Sequence, residues 1–273
     1  MSAPVVHGRK LAWVRDRMLA SATPDHLRAE RILGTAPPPE TSDNRDLVPE
    51  ILDQGGLGSC VAHGTAAAAR AAMIVAGAVS PPLVSRLWLY YVARAYDHDT
   101  ANDDGTQIHN AFAAIAKYGV PAESLWTYDD DSSPGAKFAQ MPAPEAWMGL
   151  DAAFGFRMHR ITSTGYARVD DVKRALGARK LVTFGTDVSQ DFCAGLFDPT
   201  VPLPPPVGLA LAGGHCRAWV GHDARGARAL NSWSSAWGDA GYSIDSWDWV
   251  AWRDTGDLWC FDAAPRSLVG GVS

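Results

Sequence analysis

Apolar residues fall along this chain in two different rhythms. Between residues 59 and 119 they recur at helical spacing in three stretches, 59–77, 82–96 and 108–117, and the last stops at Gly119, where a helix end favours a residue tolerant of left-handed geometry. Beyond residue 180 the apolar runs are short, glycine-bounded and partly β-branched or aromatic: 181–184, 216–220, 227–230 and 258–261. Such runs are expected of strands. A helical half followed by a strand half predicts an α+β chain with a helical lobe over about 46–150, a β lobe over about 151–273, and a cleft between them.

The first 45 residues follow neither rhythm for long. Residues 8–20 place Leu11, Val14 and Met18 at helical spacing, and residues 24–33 have Thr23 as a cap, Pro24 at the first position and Gly34 past the end, which predicts a helical hairpin or arm. Residues 36–44 are proline-rich and polar and read as a linker. The apolar faces of this arm are too small to be stable alone, so they must dock. Docking across the cleft would make the arm a short propeptide; docking on the back of a lobe or on a partner assembly would make it an attachment device. The sequence reading favours the second.

Composition narrows the classes. With 273 residues, 47% hydrophobic and 20% charged, the chain has enough apolar surface for a core and is not disordered. Its net charge is −6 and only five of its 24 basic residues are lysines, without a run of like charge. That leaves no footprint for a phosphate backbone, so nucleic acid is excluded as a partner. The longest apolar stretch, 66–79, carries Arg70 and falls short of the ~20 residues of a membrane span. No signal-peptide core forms near the start, so the expectation is a cytoplasmic chain as synthesised. The four cysteines, 60, 193, 216 and 260, match no zinc-ligand or redox-pair spacing and are expected to be free thiols.

The chemistry-bearing windows are far apart. Residues 53–63, Asp-Gln-Gly-Gly-Leu-Gly-Ser-Cys-Val-Ala-His, form a glycine-rich loop that delivers Cys60 to the first turn of a helix, where unpaired N–H groups and the helix dipole favour thiolate. Gln54, six residues earlier, is near enough to offer its amide to a developing oxyanion. Downstream, Gly214 and His215 introduce an apolar strand, and Asn231-Ser-Trp233 follows sixteen residues after the histidine. The order and local contexts of Gln54, Cys60, His215 and Asn231 resemble the papain-like (C1) cysteine peptidases over most of residues 46–273. A further block, Asp104-Gly105-Thr106 with residues 111–128, resembles the family's segment along the non-prime side of the substrate cleft.

The resemblance implies a papain-like two-lobed fold and thiol-dependent cleavage of peptide bonds in a peptide or protein substrate. Cys60 would be the nucleophile, His215 its base and acid, Asn231 the residue that orients the imidazole, and Gln54 the oxyanion donor. Asp104, Gly105, Gly214 and Trp233 would line the substrate site, Gly105 letting a peptide backbone come close and Trp233 shielding the His–Asn pair. No metal or cofactor is implied. The chain also departs from the family pattern: Leu57 and Val61 stand where CGSCW has its first cysteine and its tryptophan, Cys216 replaces a small residue, and the arm is shorter than the usual inhibitory propeptide. Two other readings stay open, a cell-wall peptide hydrolase carried by a larger particle or secretion machine, and a structural or docking module that keeps the fold. Blander readings are preferred elsewhere: His63 as packing, Trp237, Trp247, Trp249, Trp252 and Trp259 as core and lobe edge, and Asp97, Asp99, Asp103 and Asp104 as a solvated loop, since EF-hand spacing is absent.

Overall fold

The computed structural model describes residues 5–6, 8–16, 23–150 and 153–266. Two short strands, β1 (Val5–Val6) and β2 (Arg9–Lys10), pair antiparallel, and the chain then runs extended through residue 16. A single-turn helix α1 (Glu30–Leu33) ends at Gly34, whose φ is +69°, and β3 (Ser42–Asp43) follows. The helical reading of residues 8–20 is therefore corrected for its described part; Met18 lies outside the described residues. The reason is visible in burial: Leu11, Ala12 and Trp13 are all buried in succession. A helix on a surface buries one face, whereas this segment is covered on both sides, as a strand in a groove is.

The helical lobe is built from α2 (Cys60–Val75), α3 (Arg86–Ala95), α4 (Ile108–Tyr118) and the short α5 (Pro144–Met148). Each of the three long helices falls within a few residues of its sequence expectation. Alanines make α2 narrow enough to be buried almost all round, and Ser85 caps α3 by accepting from the Trp88 N–H at 3.3 Å, satisfying one of the donors a helix start leaves open.

The β lobe contains β4 (Phe154–Ile161), α6 (Gly165–Gly177), β5 (Val182–Ser189), α7 (Gln190–Ala194), β6 (Leu211–Asp223), β7 (Gly226–Leu230), β8 (Tyr242–Ser246), α8 (Trp247–Ala251) and β9 (Gly256–Pro265). Its strands form one seven-stranded antiparallel sheet in the order β4-β9-β5-β6-β7-β8, with β3 also on β6. The end of the expected linker is thus part of the sheet. Strand β6 is the spine of the lobe. Its alternate residues Cys216 and Val220 face the helical lobe, with Cys216 Sγ 3.4 Å from where a Cβ on Gly64 would stand, while Trp219 packs with α6 on the other side. The same alternation puts His215 on the face opposite Cys216, one residue from the strand position that faces α2.

Candidate active site

The first turn of α2 and the start of β6 meet at the bottom of the cleft. Cys60 opens α2 and is fully buried, with the backbone N–H groups of Cys216, Ala12 and Val61 directed at its sulfur. Burial nevertheless outweighs those donors and pushes its thiol up to about 11. His215 is also fully buried, and burial holds its imidazole down at about 3 despite the bond to Asn231. Both groups are therefore neutral in this state.

Proton positions follow from the partners. Asn231 Oδ1 accepts from the Ser232 backbone N–H at 2.8 Å, so that atom is the oxygen of the amide. The same oxygen lies 2.8 Å from His215 Nε2, which must then carry the hydrogen. Nδ1 keeps its lone pair, and among the described residues it has no hydrogen-bond partner although it is buried. Trp233 stacks on the imidazole at 4.4 Å and 22° and is itself buried. A buried imidazole with a free lone pair on Nδ1, its far nitrogen tied down and a tryptophan over the ring, stands one residue from Cys216, whose N–H faces the Cys60 sulfur, an arrangement able to take a thiol proton once the site opens.

Gln54 sits across the loop. Its Oε1 accepts from Ser232 Oγ at 2.6 Å, and its Nε2 donates to the carbonyls of Leu57 and Lys10, both at 3.0 Å. Lys10 belongs to the arm. From there the arm crosses the whole cleft. Its Trp13 N–H donates to Gly214 O at 3.1 Å on the β-lobe wall, and its Val14 N–H donates to Thr106 O at 3.1 Å on the helical wall, whose own N–H donates to Ala12 O at 3.3 Å. Gly105, with φ +82°, lets that backbone approach: a Cβ there would overlap the Ala12 carbonyl. Of the residues expected to line the cleft, Gly105 and Gly214 therefore flank a bound backbone, Trp233 covers the imidazole, and Asp104 is half-buried beside them.

No local pattern in the sequence points to this strand or to the groups that hold it. The Trp13 ring fills a pocket walled by Gly185 and Gly214, where added Cβ atoms would run into the ring, and its indole N–H donates to Asp257 at 3.2 Å. Asp257 also accepts from the Asp16 N–H at 2.8 Å and pairs with Arg160 at 3.3 Å. Burial pushes its carboxyl up to about 6. Asp103 is corrected too: it is buried, accepting from the Gly58 N–H at 3.0 Å and from Tyr90 Oη at 2.5 Å and pairing with Lys10 at 2.8 Å. Its place in an acidic run hid the one carboxylate that turns inward.

Comparison with known proteins decides the family. A model of the papain family of cysteine proteases matches residues 38–245. The chain belongs to that family. It is therefore a cysteine peptidase, a hydrolase. An uncharacterised peptidase C1-like protein of Acanthamoeba polyphaga mimivirus is 32% identical over 227 residues, 80% of this chain and 71% of that protein. Among solved structures, xylellain, a cysteine protease from Xylella fastidiosa, superposes with a TM-score of 0.78 over 96% of this chain and 98% of that one, at 24% identity. A Carica candamarcensis cysteine protease solved in complex with E-64 has a TM-score of 0.56 at 16% identity, covering 83% of this chain and 99% of its own. At these identities the two structures speak for the fold, which is papain-like and α+β.

Proposed function

We propose that the chain is an endopeptidase working through Cys60, His215, Asn231 and Gln54, held closed in this structure by its own residues 10–14. The observation that carries the reading is the arm itself. An extended peptide backbone is hydrogen-bonded to both walls of the cleft, presents an N–H to the Cys60 sulfur and rests a carbonyl oxygen on the Gln54 amide. A cleft that binds one peptide backbone in this way has the donors and acceptors to bind another.

Once the arm leaves, water reaches the site and the burial that keeps both groups neutral falls away. His215 Nδ1 takes the Cys60 proton, and the thiolate attacks the scissile carbonyl carbon. The oxygen that becomes negative rests where the Lys10 carbonyl lies now, against Gln54 Nε2. The imidazolium returns its proton to the leaving amine, and a water activated by the same nitrogen hydrolyses the thioester. Asn231 Oδ1 keeps the ring in the tautomer that leaves Nδ1 available throughout.

The test uses the full-length chain, with and without Trp13→Ala to loosen the arm, on denatured protein and on purified peptidoglycan. E-64 should label Cys60 in the loosened chain, Cys60→Ala should abolish turnover while the chain stays folded with its thermal midpoint within a few degrees, and Asn231→Ala should harm kcat less than His215→Ala. Retained turnover in Cys60→Ala overturns the assignment. Turnover confined to peptidoglycan would move the substrate to cell-wall peptides and keep the chemistry.

A further inference from the structure

One polar group at the floor of the helical lobe has no part in the chemistry above, yet its hydrogen bonds run into both halves of it. Tyr128 Oη lies 2.8 Å from the Gln54 backbone carbonyl and 2.6 Å from Ser59 Oγ. Gln54 is the oxyanion donor in the proposed mechanism, and Ser59 is the residue immediately before Cys60. We infer that Tyr128 is a positioning residue, whose hydroxyl clamps the two ends of the 54–60 loop so that the Gln54 amide and the Cys60 sulfur keep one separation; this rests on the catalytic reading of those two residues.

The directions of the bonds make the clamp one-way. A carbonyl only accepts, so the single Tyr128 hydrogen goes to Gln54 O, and Ser59 Oγ must donate its own hydrogen to Tyr128. Ser59 then has no hydrogen left for His63, whose Nδ1 lies 3.1 Å from Ser59 O and 3.3 Å from Ser59 Oγ. His63 Nδ1 is therefore the donor. Its Nε2 must accept, and it does, from Arg86 Nη1 at 3.1 Å. Arg86 is held by Glu123 at 2.9 Å, and Glu123 also accepts from the Tyr128 N–H at 2.7 Å, closing the circuit. The Arg86 guanidinium lies over the Tyr128 ring at 4.3 Å. Every link has one allowed donor, so the chain Arg86, His63, Ser59, Tyr128, Gln54 has one proton arrangement and cannot flicker between two. His63 acts in it as a neutral relay and not as a second base.

Glycines 55, 56 and 58 leave the loop little stiffness of its own, and Gly55 has φ +58°, so fixed end points matter more here than in a stiffer loop. Misplacement of an oxyanion donor lowers the rate of the chemical step while leaving remote binding contacts in place.

The test is a double-mutant cycle in the full-length chain carrying Trp13→Ala, comparing Tyr128→Phe, Gln54→Ala and the pair. Phenylalanine keeps the ring under Arg86 and removes only the hydroxyl. The expected result is a fall in kcat of about tenfold for Tyr128→Phe with KM within about twofold, shrinking to less than about twofold in the Gln54→Ala background. An equal fall in both backgrounds, or none in the first, overturns the clamp. If Gln54→Ala is itself silent while Cys60→Ala is dead, the oxyanion role is at fault and not the hydrogen-bond chain. A second measurement needs no turnover: in the intact chain, Tyr128→Phe should speed amide exchange over residues 55–60 and leave β5 and β6 unchanged. Unchanged exchange over 55–60 overturns the clamp as well.

Discussion

Residues 9–16 and residues 24–33 belong to one N-terminal stretch, yet the body holds them by different means. The first segment lies in the cleft through ion pairs of Arg9 with Asp53 and Lys10 with Asp103, backbone bonds at residues 12–14, and one side chain in one pocket. Apart from the ion pairs, these are contacts any extended peptide with a fitting side chain makes. The second segment is joined to the β lobe by contacts that only this fold supplies. Ala29 is fully buried among residues of α6 and β9, its N–H donates to Arg160 O at 2.8 Å, and Glu30 accepts from the Thr162 and Ser163 N–H groups at 2.6 and 3.0 Å, just before α6 begins. One segment behaves as a ligand and the other as its tether. A tethered ligand stays bound through effective concentration even when its own contacts are modest.

The comparison breaks most sharply at Trp13. Removing a buried tryptophan costs about 3–5 kcal/mol of packing, and here that loss falls on the closed state alone, since the open state has already released the ring. Trp13→Ala should raise turnover on the order of a hundredfold, by the arithmetic of a two-state shift. The thermal midpoint should fall by several degrees, because the native chain loses the closed state's advantage and the Trp13 packing within the main core cluster while the tether stays in place. A large drop in midpoint with no rise in turnover would mean that the segment is structural.

Next in size is a change in pH dependence. With its thiol near 11 and its imidazole near 3, the closed site has no thiolate at neutral pH: a cysteine whose pKa is raised forms thiolate only as pH climbs through the raised value. Iodoacetamide should therefore alkylate Cys60 of the intact chain slowly at pH 7 and progressively faster above pH 9. In Trp13→Ala the rate should already be high between pH 6 and 8, where an imidazolium can hold the thiolate. Parallel profiles for the two proteins would show that the arm does not set the protonation of the pair.

A smaller effect is expected at the tether. Ala29→Asp places an unpaired carboxylate in a closed apolar cluster, so the thermal midpoint should fall by several degrees. Turnover should rise only a few-fold, because the cleft segment keeps its own contacts and remains joined through residues 34–44. A rise as large as that of Trp13→Ala would reverse the roles assigned to the two segments.

Much of this was legible in the residues, for identifiable reasons. The helices α2, α3 and α4 carry their own punctuation in Ser85 and Gly119, and Gln54, Cys60, His215 and Asn231 stand in distinctive local windows that survive without any knowledge of contacts. Strand β4 and helix α6 carry no such local signal. In β4 the alternation is masked because His159 and Arg160 are buried on account of partners distant in sequence, Asp262 for the one and Asp257 for the other. The cleft segment was misread for a related cause: Leu11 and Val14 have the spacing of a helix face, but Trp13 between them decides the conformation, and its pocket of Gly185, Gly214 and Asp257 comes from three separate strands. Docking was expected at the back of a lobe, and residues 24–33 do lie on the β lobe; what no local pattern disclosed is that the same arm also enters the cleft.

That double attachment makes the smallest expected effect the most discriminating. A protease cut within residues 37–44 would free a single-segment propeptide to diffuse away and raise activity at once. Here the cut leaves both the ligand and its tether on the same fragment, with Ala29, Glu30 and Trp13 all still seated, so the nicked chain should keep the fragment through gel filtration and gain less than about twofold in turnover. Dilution should then matter where it did not before, because the fragment is now bound by affinity and no longer by connection. Turnover per molecule should climb as the nicked protein is diluted, and should stay flat for the uncut chain. Combining the nick with Ala29→Asp removes the tether as well, so the fragment should be lost on the column and activity should approach that of Trp13→Ala. An immediate full rise on nicking alone would show that residues 24–33 contribute no hold, and that the cleft segment is a propeptide restrained by its covalent link.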